Sequence, residues 1–310
     1  KQKTAYEIMP SLVGSEMCIR DRDKGNIELI RDGKFESLGL VTYNNPKQLT
    51  FIEDPKYIAM LLKKPNVSCV VTTEELIKSI PKELGIGISK NPKKSFYEIH
   101  NYLAKDTDFY WKPFKTEIAY NAKIHPTAYI AKENVRIGER CYIGPNVSIL
   151  EGSILEDDII VRAGSVIGSE GFQFIRFGKE IMPIIHAGGV LLHNRVEIQS
   201  NCCVDKALFG GFTEIGEDTK VENLTHIGHH VIIGKRCLLT ANAMVAGSTR
   251  IGNDVWIGPS ASISSELVIG DGASVTIGSV VTKNVAPGQR VTGNFAIDHD
   301  KFIAFLKTIR

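Results

Sequence analysis

The 310-residue chain has no apolar run near the ~18 residues that a membrane-spanning helix requires. Its start also lacks an apolar core followed by a small-residue cleavage site, so a cytoplasmic protein is expected. Basic and acidic residues nearly cancel, 37 against 35, and no long basic stripe gathers them. Nucleic acid is therefore not an expected partner, whereas a neutral or locally charged small molecule is. The six cysteines (Cys18, Cys69, Cys141, Cys202, Cys203, Cys237) show no CxxC spacing and mostly sit among aliphatic residues. That predicts buried reduced thiols, with neither disulfides nor a metal site.

What the chain does contain is a period. Aliphatic residues recur every six positions at Ile215, Val221, Ile227, Ile233, Leu239, Val245, Ile251, Ile257, Ile263, Ile269, Val275 and Val281. An earlier series runs Ile118, Ile124, Ile130 and, after one extra residue, Ile137, Ile143, Ile149, Leu155, Val161 and Ile167; Leu192, Ile198 and Val204 form a short third set. Neither a helix nor an alternating strand produces this spacing. It predicts a triangular solenoid in which each hexad gives one short strand and one corner, and three hexads make a coil. Such coils bury their aliphatics only by stacking on one another. Glycine often follows the aliphatic residue, where a tight corner disfavours a Cβ. Two interruptions stand out. The stretch 168–189 reads as a loop thrown out from the coil, a common carrier of binding function, and "KALFGGFT", 206–213, reads as a shortened turn.

The expected organisation has four parts. Residues 1–22 are assigned no function, because "MPSLVGSEMCIRDR" at 9–22 looks like translated sequencing-adapter read-through, with an ordinary weak strand as the alternative. Residues 23–112 form a small α/β domain, in which "VSCVVTTEELIKSI" reads as a strand and a capped helix starting near Thr73, and "GIGISKNPKKSFYEIHNYL" repeats that order. Residues 113–297 are the solenoid and 298–310 a short C-terminal helix with an acidic start.

Three segments together resemble the UDP-3-O-acylglucosamine N-acyltransferases of lipid A synthesis, over roughly residues 26–297. They are "LTFIEDPKYIAMLL"; "IGSEGFQF" with the following "NRVEIQSNCCVDKALFGGFTEIG"; and "VENLTHIGHHVIIG". The resemblance implies a mainly β fold, a left-handed parallel β-helix with a small N-terminal α/β domain. Generic crossover chirality would predict the opposite hand. It also implies a homotrimer with sites between subunits. The reaction would move a 3-hydroxyacyl group from acyl carrier protein to the 2-amine of a UDP-sugar, with no cofactor and no metal.

Amide formation from a thioester needs a proton acceptor for the amine and a donor for the developing oxyanion. With Ile227 inward, His229 and His230 fall at the next corner; by spacing alone they are equally a base and polar corner residues. The resemblance makes His229 the base and sets His230 beside the substrate. His226 reads as structural, and Glu222 as a carboxylate able to orient the imidazole. One coil beyond His229 stands Gly247, whose N–H suits the oxyanion, a role the resemblance also implies. Phe51 and Tyr57 resemble the pair that holds the uracil ring, although two aromatics around a proline are also ordinary core. Phe172 and Phe174 either wall the acyl or sugar site or anchor the loop.

Three departures from the family pattern bear on substrate. Asp54 stands where an asparagine is usual, which removes an amide donor. Glu266 replaces a histidine, and a carboxylate repels phosphate. The C-terminal helical region is reduced to about 13 residues. These keep open an acetyl-CoA-dependent nucleotide-sugar acetyltransferase of surface-polysaccharide synthesis. A metal hydratase using His193 and His229 is a further reading, though its third ligand position holds Gly234. A non-catalytic scaffold would leave the inserted loop unexplained.

Overall fold

A computed structural model describes residues 17–18, 27–293 and 298–308. Most of the 1–22 segment lies outside these; Met17–Cys18 pairs antiparallel with Lys34–Phe35.

The six-residue period becomes a parallel β-helix of three flat faces, carrying eight, nine and eight strands. Register along each face advances by one coil, as in Val221 to Leu239 to Ile257 on the second face. The inward aliphatics, among them Ile227, Val245 and Ile263, are fully buried in one continuous column. Strands here are only two residues long in most coils, so this column and the ladders between coils hold the fold together.

The corners make two separate demands on the backbone. The glycine after each inward aliphatic is not the left-handed residue; that is the residue two further on. Asp218, Leu224, His230, Arg236, Asn242 and Ser248, six apart, all have φ between 56° and 64°. The glycine is needed because coils nearly touch there. A Cβ on Gly216 would lie 2.5 Å from the carbonyl of Gly234 one coil on.

Before the β-helix, a five-stranded sheet orders as Glu28–Arg31, Gly85–Ile88, Val67–Thr72, Gln48–Ile52 and Ser37–Leu38, parallel apart from its first pair. The helix expected after Thr73 is instead the 3₁₀ turn Glu74–Ser79, and Thr73 makes no capping bond to its backbone. Pro81 ends the segment too soon for an α-helix to propagate. Helix Pro92–Asp106 does form, with Asn91 Oδ1 accepting from Lys94 N at 3.0 Å and Phe96, Ile99 and Leu103 buried.

The 206–213 segment lengthens its turn, contrary to expectation. Inward Val204 and Ile215 stand eleven positions apart where six is the rule. The added residues carry Phe209 into the N-terminal core, 5.5 Å from the Phe96 ring and 5.9 Å from that of Tyr97. The 168–189 loop does leave the coil, as the hairpin Phe174–Phe177 and Glu180–Pro183. Helix Pro92–Asp106 clamps it: Asn101 Nδ2 donates to Pro183 O (2.8 Å), Asn101 Oδ1 accepts from Ile185 N (3.0 Å), and His100 Nε2 meets Ile185 O (2.7 Å).

Candidate active site

Stacking brings His229 and Gly247 together. Between them Gly228 closes the gap, since a Cβ there would meet Gly247 N at 2.9 Å. The imidazole edge lies over Gly247 so closely that a Cβ added to the glycine would stand 2.7 Å from both Cε1 and Nε2. Ser248 N donates to His229 O at 2.8 Å, holding the two corners in step. Among the described residues the Gly247 N–H makes no hydrogen bond, and His229 Nδ1 is buried without a partner. Burial pushes His229 down to about 4, and the nearby His186 ring, 5.4 Å away, adds to the effect. The side chain is therefore a neutral imidazole at neutral pH, with a lone pair available.

Glu222 does not orient this ring; its Oε2 accepts from Ala241 N at 3.0 Å. It follows strand Lys220–Val221, at the corner before the His226–Ile227 strand, and bonds across to the next coil there. His230 is held on both sides, its N donating to Thr213 Oγ1 (2.8 Å) and its Nδ1 accepting from Leu208 N (2.9 Å). Its ring lies 5.3 Å from that of Tyr43. His226 donates or accepts at Nε2 with Asp205 Oδ2, 3.0 Å away.

Two clefts separate the N-terminal sheet from the β-helix. One of about 340 Å³ is lined by Phe51, Asp54, Tyr57 and Glu266. The other, about 610 Å³, is lined by Tyr43, His230, Ser248, Arg250 and again Glu266. The fold thus brings four of the expected substrate contacts to one place. Phe51 lines the smaller cleft and also packs on Phe96 at 5.2 Å. Asp54 has a local partner that explains the carboxylate: it accepts from Lys56 N at 3.0 Å and pairs with Lys56 Nζ at 2.8 Å, which holds its carboxyl below the usual range. Arg250 places a cation in the cleft where Glu266 removes one.

Phe172 and Phe174 meet at 4.9 Å with their rings tilted by 57° and stay exposed, at 88% and 48%. Neither lines these two clefts. His193 is occupied by Glu156 and Glu214, each 3.2 Å away, which raise it to about 9. Cys69, Cys141, Cys202 and Cys237 are buried, as expected, whereas Cys203 is only half-buried.

The bacterial transferase hexapeptide model, of six repeats, matches residues 134–169 and 212–247, on either side of the loop. A UDP-3-O-acylglucosamine N-acyltransferase from Helicobacter pylori is 28% identical over 74% of both chains. One from Helicobacter hepaticus is 29% identical over 90% of both. Legionella pneumophila UDP-3-O-acylglucosamine N-acyltransferase 2 is 43% identical over 50% of this chain and 46% of its own. The chain thus carries the bacterial transferase hexapeptide repeat and is similar, over most of its length, to proteins named as N-acyltransferases.

The surroundings of His229 include two groups that sequence reasoning left out: His186 and Asp205. His186 Nδ1 faces Glu170 Oε2 at 3.3 Å, and Glu170 Oε1 pairs with Lys206 at 2.7 Å. The loop's departure from the period was the available signal, because residues that need not face inward are free to return to the corner. No helix among the described residues is long and apolar enough to cross a membrane.

Proposed function

We propose that the protein moves a 3-hydroxyacyl group from an acyl-carrier-protein thioester to the 2-amine of a UDP-3-O-acylglucosamine, in lipid A synthesis. The observation that carries this reading is the neutral His229 imidazole lying against an unengaged Gly247 N–H. His229 takes a proton from the amine as it attacks the thioester carbonyl. The Gly247 N–H receives the oxyanion. Attack forms the C–N bond; collapse of the tetrahedral intermediate breaks the C–S bond, and the proton on His229 goes to the departing thiolate. No cofactor enters. The names of the relatives support the UDP-sugar; the clefts around Phe51, Tyr57 and Arg250 suit a base, a ring and a diphosphate. We place the reaction in the cytoplasm and in a homotrimer, with the carrier protein as partner.

The carboxylates Asp54 and Glu266 keep the acetyl-CoA reading as the competitor. Thiol release from 3-hydroxyacyl carrier protein and from acetyl-CoA, each with the UDP-sugar amine, separates them. Consumption of the carrier-protein thioester alone is expected, and consumption of acetyl-CoA alone would replace the proposal with its competitor.

The pH profile gives a second test. Burial disfavours the charged imidazole, so the base form of His229 persists down to about pH 4. Turnover is then expected to show no inflection near the ordinary histidine value of ~6.5 and to fall only at lower pH. His100, buried between Tyr110 and Ile185, is likewise depressed to about 4. Between there and 6.5 the unfolded chain binds more protons than the folded one, so stability falls as pH drops through that window. Circular dichroism at each pH separates loss of fold from loss of base, and a limb near 6.5 in folded enzyme would reject the depressed base.

A further inference from the structure

On the third face, strand Cys203–Asp205 turns Val204 inward, where it is fully buried, and Cys203 and Asp205 outward. Parallel register sets His226 beside Cys203 on the next coil. Cys203 Sγ lies 3.7 Å from Asp205 Oδ1 and His226 Nε2 lies 3.0 Å from Asp205 Oδ2, and the three donor atoms all fall within 4.8 Å of one another. A thiol, a carboxylate and an imidazole are the donors a borderline divalent cation takes.

A second observation is independent of that cluster. The His186 side chain is 1% exposed, yet its Nε2 has no hydrogen-bond partner. A Cβ built on Gly171 would meet that nitrogen at 2.6 Å and Asp205 Oδ2 at 3.3 Å, so the orphaned lone pair and the carboxylate face one spot. The other ring nitrogen of His186 faces Glu170 at 3.3 Å, the outer carboxylate that metal-binding imidazoles commonly carry. Asp205 has its own support, accepting from Ser169 Oγ at 2.8 Å.

We propose that Cys203, Asp205 and His226, joined by His186, bind one Zn²⁺-class cation beside the His229 crevice. Cys203 gives its thiol proton to solvent on binding; thiolate and carboxylate then balance the dipositive charge, and both imidazoles bind neutral. The half-exposed His226 leaves a path for entry. Cysteine spacing could not show this site, because its donors come from one strand, the next coil and the loop. A cation there stands near the His186 ring that contacts His229, so occupancy suppresses acyl transfer; this consequence rests on the proposed function, while the binding does not.

The test titrates chelator-treated full-length protein with Co²⁺ and then Zn²⁺. One equivalent of Co²⁺ per chain is expected, with a thiolate charge-transfer band that one equivalent of Zn²⁺ abolishes. Cys203→Ser removes the band. His226→Gln weakens binding by more than the roughly 10–100-fold that loss of an outer-sphere partner costs. Melting curves confirm that both variants fold. Absence of the band, or a band and affinity unchanged in both variants, overturns the site and leaves a Ser169–Asp205–His226 hydrogen-bond network. Full binding with unaltered acyl transfer would cut the link to His229 while keeping the site, and a chain that transfers no acyl group at all still decides the binding.

Discussion

Replacing His229 by alanine is expected to lower kcat by about 10²–10⁴-fold, the usual contribution of a positioned general base, with little change in melting temperature. Stability is spared because the imidazole makes no hydrogen bond through its buried Nδ1, and the inward packing beneath it belongs to Ile227. Its neighbour behaves differently. His230 pins Leu208 N through Nδ1 and packs on Tyr43, so His230→Ala is a control that loosens the 206–213 turn. Steady-state rates with the preferred donor, read beside melting curves, distinguish a lost base from a lost support. Wild-type kcat in His229→Ala would remove the base assignment, and a fall in melting temperature matching that of His230→Ala would make the residue structural.

The period made the solenoid legible because inward burial imposes one chemistry on every sixth residue, from Ile118 to Val281. It also placed His229 and Gly247 one coil apart without any knowledge of contacts. Where the period stops, the sequence speaks less clearly. The 206–213 stretch looked like a shortened turn because Phe209 packs into the N-terminal core, a destination that no local pattern encodes. The 3₁₀ turn after Thr73 began with the residues of a helix, and its early end at Pro81 decided otherwise. Glu222 looked suited to orient His229 by proximity in sequence, but the two stand at successive corners, on either side of strand His226–Ile227, and Glu222 bonds Ala241 at its own. His186, forty-three positions before His229, returns to it only because the hairpin is clamped to helix Pro92–Asp106.

Gly247→Ala should be nearly as damaging, by a different route. The backbone at Gly247 is outside the left-handed region, so an alanine is unstrained in φ and the whole cost is collision: its Cβ would lie 2.7 Å from two atoms of the His229 ring. Backbone on both coils is fixed by the ladder, with Ser248 N bonded to His229 O and Glu266 N to Gly247 O. The ring therefore moves, and nothing holds it, because Nδ1 has no partner. A base displaced by ~1 Å costs about 10²-fold in kcat. The KM for the nucleotide sugar should stay near wild type, since Phe51 and Tyr57 line a cleft that Gly247 does not reach. The double variant His229→Ala/Gly247→Ala is the decisive comparison: with no ring to strike, the second change should cost little stability and far less kcat than in the native background. Equal losses in both backgrounds would mean that the glycine serves the reaction, or the coil, independently of the imidazole above it.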